Sequence, residues 1–149
     1  MRDLRRRHHP RCVVCGRGDA GLDLDFQLTE DGRVEAALVC GSVWQGYPDR
    51  LHGGMICTVL DAAMTHCLFA HGLAAFTAEL NVRFRRAAAL ECAATVRAWI
   101  SERQTPLFRL AAEVVQDGLV VASAQAAFID SAAAAGLAAL ANPPKSDMT

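Results

Sequence analysis

The sequence predicts an α+β domain in which an antiparallel sheet wraps one long central helix. Three observations lead there. From Gly53 to His71 the apolar residues Ile56, Val59, Leu60, Ala63, Met64, Cys67 and Leu68 recur at helical spacing. Alternating segments of strand character precede and follow that run. A helix apolar nearly all round, with Met55, Ala62 and Phe69 on its other side, has to be enclosed, and a meander of strands is what the chain offers to enclose it. With 149 residues, 52% of them hydrophobic, the chain is long and apolar enough for one domain with its own core. We read residues 1–19 as an N-terminal extension, 20–130 as the domain, and 131–149 as an alanine-rich C-terminal segment with a flexible tail.

Taken in order, the chain opens on a basic stretch, Met1 to Arg7, but Pro10, Arg11, Arg17 and Asp19 break any apolar core of a signal peptide. Cys12 and Cys15 form a Cys-x-x-Cys with His8 and His9 just upstream, a zinc-like composition. Structural zinc takes four ligands, and two thiolates supply half of that. No metal is therefore expected unless the histidines or a second subunit complete the set; a small turn packing the N-terminus is the expectation. Leu22, Leu24, Phe26 and Leu28 alternate with polar residues as a strand, and Asp31-Gly32 turns the chain into a second strand through Val34, Ala36 and Leu38.

Val43 to Pro48 reads as a loop whose Trp44 and Tyr47 either meet a ligand or cover the sheet edge. The helix follows over residues 53–71, stopped at His71-Gly72. Leu80, Val82 and Phe84 alternate with Glu79, Asn81, Arg83 and Arg85 as a third strand. Residues 91–101 and 106–116 read as two more. Asp117-Gly118 is a hairpin signal, and 119–128 returns antiparallel. Residues 131–140 add a turn of helix.

Composition narrows the function classes. A net charge of -1 argues against an electrostatic nucleic-acid binder, though local basic clusters suit a phosphorylated small molecule. The one long apolar run is interrupted by Asp61 and flanked by glycines, so no membrane span is expected. Of six cysteines, Cys40, Cys57, Cys67 and Cys92 fall in apolar patterns where a reduced thiol acts as a small hydrophobe, which fits a reducing, cytoplasmic setting.

The chemistry concentrates in Leu51 to Asp61. Gly53 and Gly54 let a ligand atom approach the backbone at a helix start, where the first N–H groups have no intrahelical partner. Two glycines also serve simply to make a tight turn. Asp61 sits inside the apolar run, where an uncompensated charge costs several kcal/mol, so it must be hydrogen-bonded, paired or functional. Its plain alternatives are solvent, Thr58 or Thr65.

His52-Gly53-Gly54 with Asp61, preceded by Gln45-Gly46-Tyr47-Pro48 and followed by Thr77-Ala78-Glu79-Leu80-Asn81-Val82-Arg83-Phe84, resembles the hotdog-fold acyl-CoA thioesterases of the phenylacetate-pathway (PaaI-like) type. The resemblance covers roughly residues 12–130. It implies a hotdog fold, thioester hydrolysis without a cofactor, and a homodimer or a homotetramer built as a dimer of dimers. It further implies that Gly53 N–H polarises the thioester carbonyl, while Asp61 activates water or attacks directly. Thr77 falls where relatives place a hydroxyl that helps hold the water, or is an ordinary strand-start threonine. His52 orients the loop or a substrate oxygen, or is bonded to nearby backbone. Gln45, Gly46 and Gly54 line the substrate side. Arg83, Arg85 and Arg86 either meet coenzyme A phosphates or are merely solvated. Several relatives carry an asparagine six residues before the motif histidine to share the oxyanion. This chain has Gly46 there, with Gln45 the nearest substitute.

One geometric constraint needs no family knowledge. Eight residues of helix separate Gly53 from Asp61 by about 12 Å along the axis, so one chain cannot present both to one carbonyl. A two-fold dimer with antiparallel helices would bring Gly53 of one subunit toward Asp61 of the other. The competing reading is a non-catalytic acyl-CoA sensor or carrier, which has no need of a carboxylate facing the thioester. Hydratase chemistry on an enoyl-CoA is less well served, because only one acidic residue sits in the motif region.

Overall fold

A computed structural model of the chain describes residues 1–16 and 21–141. The expected tail at 142–149 and part of the N-terminal extension lie outside the described residues. The elements are α1 (Arg2–His8), β1 (Gln27–Leu28), β2 (Val34–Val39), a short 3-10 turn (Ser42–Trp44), α2 (Gly53–Ala70), β3 (Ala75–Phe84), β4 (Ala93–Gln104), β5 (Leu107–Gln116), β6 (Leu119–Asp130) and α3 (Ser131–Ala141). All six strands join one antiparallel sheet in the order β1-β2-β4-β5-β6-β3.

The long helix forms where the apolar period placed it. Its buried residues include Ile56, Val59, Leu60, Ala63, Met64, Cys67 and Leu68. It ends at Gly72, whose φ of 75° supplies the left-handed step that glycine takes without strain. By length and composition this helix is apolar enough to cross a membrane, with a mean hydropathy of 1.4, but here it is the core element. The sheet presents Val34, Ala36, Val96, Ala98, Phe108, Leu110, Ala112 and Phe128 to it, all buried. Three alanines of β6, Ala122, Ala124 and Ala126, are buried on the same face; their small side chains let the sheet close on the helix without overpacking. Burial pushes the Cys67 thiol up to about 11, so it is a packing group rather than a nucleophile.

Three expectations need correction. The alternation at 22–28 holds in burial at Leu24 and Phe26, but only Gln27–Leu28 pairs as a strand. The rest bonds to the N-terminal segment instead: Leu22 and Leu24 N–H donate to the carbonyls of Val13 and Val14, both at 2.9 Å, and Asp23 takes a φ of 45° that no ladder accommodates. Cys92 is exposed in the turn before β4, not inside a strand. The N-terminal extension carries helix α1 as well as the turn at Cys12–Gly16.

One edge of the sheet is β1, two residues long; the other is β3, ten residues long and unpaired on its outer side among the described residues. A long free edge invites another strand. Phe76 (60% exposed) and Phe84 (53%) lie on this strand, and Tyr47 (84%) and Val43 (80%) on the loop before α2.

Leu60 is fully buried on α2 against the sheet. Leu60→Ala should therefore cost about 2–5 kcal/mol, read from the urea midpoint at unchanged slope. A loss under 1 kcal/mol would mean that α2 is not the packing centre.

Candidate active site

The helix start is built by the loop before it. His52 is the N-cap of α2: its Nδ1 accepts from Gly54 N–H at 2.9 Å, and its own N–H donates to the Trp44 carbonyl at 2.9 Å. Trp44 packs on the core, which fixes that loop, whereas Tyr47 points outward. With Gly54 N–H committed to His52, no hydrogen bond among the described residues uses Gly53 N–H. Gly53 is thus the open amide donor at the positive end of an 18-residue helix. A Cβ there would lie 3.5 Å from the Phe84 ring, an ordinary contact. The fold itself therefore accepts a side chain at 53, and glycine leaves the donor approachable.

Gly46 has a different reason. A Cβ at that position would stand 3.1 Å from His52 Cα and 3.2 Å from its ring. The loop lies flush on the capping histidine, which explains why this chain has no asparagine there. The Gln45 side-chain oxygen accepts from Asp49 N–H at 3.1 Å, closing the 45–49 turn.

Asp61 lies two turns along α2, half-buried, on the helix's one polar stripe: Gly54, Thr58, Asp61 and Thr65. Neither threonine of the helix satisfies it. Thr58 donates to the Gly54 carbonyl, while Thr77 of β3 donates to Asp61 Oδ1 at 2.6 Å. A bulge makes that contact possible. Thr77 pairs with Phe128 and Glu79 with Ala127, so Ala78 is left over. Counting back from Leu80, Val82 and Phe84, which oppose Ala126, Ala124 and Ala122, strict alternation would turn Ala78 toward the helix; the extra residue turns Thr77 there instead.

The site thus gathers into two groups: Gly53, Gly54, His52 and Gly46 at the helix start, and Asp61 with Thr77 further along. Arg83 and Arg85 project to the opposite face of the sheet from Phe84. They line a groove of about 320 Å³ with Asn81, Trp99, Glu113 and Gln125, and Arg85 Nε donates to Ser123 Oγ at 3.3 Å. Arg86 borders the neighbouring depression with Leu119. None of the three touches the Gly53 or Asp61 group within the chain. His9 is an arrival that the sequence did not place near the site. Burial lowers its pKa most, His8 and Arg5 act in the same direction, and the Asp61 carboxylate opposes them, which puts the N-terminal segment within electrostatic range of Asp61.

A family model, that of the thioesterase superfamily, matches residues 49–123, from just before the helix start into β6. The chain belongs to this superfamily. A solved thioesterase superfamily protein superposes with a TM-score of 0.75 at 24% identity over 78% of this chain; the match spans 62% of that protein, less than two thirds of its length. The phenylacetic acid degradation-related protein of Ralstonia eutropha gives 0.66 at 25% identity, over 72% of this chain and 85% of that one. A protein from Streptococcus mutans, solved with acetyl-CoA bound, gives 0.70 at 17% identity, over 83% and 97%. The six-stranded sheet around one helix is the hotdog fold that these structures share, and the chain is of the PaaI-like type.

The packing of Gly46 on His52 sets a test. Gly46→Asn, which supplies the asparagine of similar proteins, should lower stability by about 1 kcal/mol or more, because its Cβ crowds the backbone and ring of His52 at the helix start. An unchanged urea midpoint would show that the loop is free to move off the histidine.

Proposed function

We propose that this chain is an acyl-CoA thioesterase acting as a homodimer or a dimer of dimers, each site combining Gly53 of one subunit with Asp61 of the partner subunit. The observation that carries this reading is the Thr77–Asp61 bond. It holds one oxygen of a half-buried carboxylate on the core helix, leaving the other for chemistry. Membership of the thioesterase superfamily and the acetyl-CoA bound by the Streptococcus mutans protein support the substrate class.

The thioester carbonyl oxygen accepts from Gly53 N–H, with the helix dipole behind it, and gains negative charge as the carbonyl carbon is attacked. Asp61 takes a proton from water, whose oxygen bonds to that carbon, or its own oxygen bonds there to give an anhydride that water then hydrolyses. In both routes the carbon–sulfur bond breaks, coenzyme A leaves as the thiolate and is protonated, and the acyl group ends as a carboxylate. His52 keeps the amide of Gly54 in place, and Gln45 and Gly46 shape the loop over the substrate. We assign Arg83, Arg85 and Arg86 to the coenzyme A phosphates, since three guanidinium groups gathered along one groove and the depression beside it suit phosphate oxygens. The unpaired edge of β3 and the exposed Phe76, Phe84 and Tyr47 support pairing of two chains along that side.

A thiol-release assay over a panel of acyl-CoAs tests the reading. The wild type should turn over at least one substrate, and Asp61→Asn should lose ~100-fold or more. Thr77→Val should lose about 10-fold or more, as expected for a hydrogen bond to a charged group, with Thr77→Ser retaining most of the rate. Full activity in a folded Asp61→Asn protein would end the catalytic assignment; tight acyl-CoA binding without turnover would favour a sensor or carrier.

The shared site has its own test. Asp61→Ala and Gly53→Val should each be inactive. An equal mixture, unfolded and reassembled, should regain up to about a quarter of wild-type activity, since roughly half of the dimers are mixed and each has one sound site of two. A mixture that exchanges subunits by mass yet stays inactive would place each site within one chain.

A further inference from the structure

The thioesterase chemistry leaves one cluster of ligating side chains unused, at the far side of α2 from the helix start. His9, Cys12 and Cys15 place one imidazole nitrogen and two sulfurs within 4.8 Å of one another. The turn that joins the cysteines is tightly specified: Gly16 N–H donates to the Cys12 carbonyl at 2.7 Å, and a Cβ on Gly16 would lie 2.4 Å from that oxygen, so only glycine fits. Val14 N–H points at Cys12 Sγ at 3.4 Å, a donor suited to stabilising a thiolate. The Arg5 guanidinium donates to the Cys15 carbonyl and brings positive charge beside the Cys15 thiol.

Bond lengths of a tetrahedral zinc site put a sulfur and a nitrogen ligand about 3.6 Å apart and two sulfurs about 3.8 Å apart. His9 Nδ1 and Cys15 Sγ already stand at 3.9 Å. A fourth donor waits beside them. His66 of α2 is 1% exposed, both its ring nitrogens lack a hydrogen-bond partner among the described residues, and its ring centre is 6.1 Å from that of His9. Two imidazoles on one tetrahedral zinc have ring centres about 5 Å apart, so His66, stacked on Phe26 with ring centres 4.3 Å apart, joins the set by moving toward His9. A buried imidazole with neither nitrogen satisfied is costly in any other role.

We propose that His9, Cys12, Cys15 and His66 form a structural zinc site that staples the N-terminal segment to the core helix. The four ligands close the coordination shell, so the site holds its metal without offering a position to substrate. The expectation of no metal rested on two thiolates; folding adds the two histidines that complete the count.

Untagged protein, purified with reductant and loaded with zinc, should retain about one zinc per chain after dialysis. With cobalt(II) in its place, it should show the thiolate-to-cobalt charge-transfer band and the intense visible bands of a tetrahedral site. Cys12→Ser and His9→Ala should abolish retention, His66→Phe should weaken it about 10-fold or more, and Cys92→Ser, at an exposed cysteine, should leave it unchanged. Circular dichroism confirms that each variant is folded; should one not fold, the wild-type cobalt spectrum decides. Wild-type protein that retains no zinc or lacks the charge-transfer band, or a folded Cys12→Ser that retains zinc as wild type does, would overturn the site. Undiminished retention in His66→Phe would overturn the four-ligand set.

Discussion

The structure depends on the enclosure of one helix that has almost no face fit for water. Along α2 the buried positions run from Ile56 to Phe69, and from Ala62 onward every residue through Phe69 is buried. A flat sheet covers one stripe of a helix; covering this one requires a sheet that curls around it, and β4, β5 and β6 run ten to twelve residues with bulges that bend them. The alanines of β6 set how closely that curl can tighten. What the sheet leaves uncovered is the polar stripe in the first half of the helix, and the carboxylate lies there, ahead of the run from Ala62 to Phe69 that is buried throughout.

The irregularities of the sheet are therefore tied to the chemistry. β3 is the strand that meets the open stripe, and it is also the unpaired edge. A bulge at Ala78 reverses which residue faces the helix, delivering a hydroxyl to Asp61 where strict alternation would deliver a methyl group. The same strand ends at Phe84, beside Gly53. One edge strand thus touches both halves of the site, and among the described residues no strand pairs with its outer side.

Much of this was legible in the residues, and the parts that were not have physical reasons. The helix bounds and the Asp117-Gly118 hairpin follow from local signals: apolar period, a glycine stop, a two-residue turn. The strand expected at 22–28 failed because alternation reports burial, while a ladder needs a partner, and the available partner was the backbone of Val13 and Val14. Asp61 was identifiable as a charge in an apolar run, but its bond to Thr77 depends on a bulge, which a period-2 pattern cannot reveal. The assignment of Thr77 came from resemblance alone. His9 and His66 are 57 positions apart in sequence, and only the packing of the N-terminal turn beneath α2 makes them neighbours.

The two ends of α2 consequently follow opposite rules. At its start, the cap spends the Gly54 amide on His52, and Gly46 lies so close to that histidine that a side chain there would crowd it. The Gly53 amide is the donor that remains open at that end of the helix. At the far end Phe69, His66 and His9 pack ring against ring under the N-terminal segment. Fixing that end matters for the other, because Asp61 lies between them on one rigid rod. Any roll of α2 that frees His66 also swings Asp61 away from Thr77, so the packing of the N-terminal segment and the aim of the carboxylate are set by the same helix orientation.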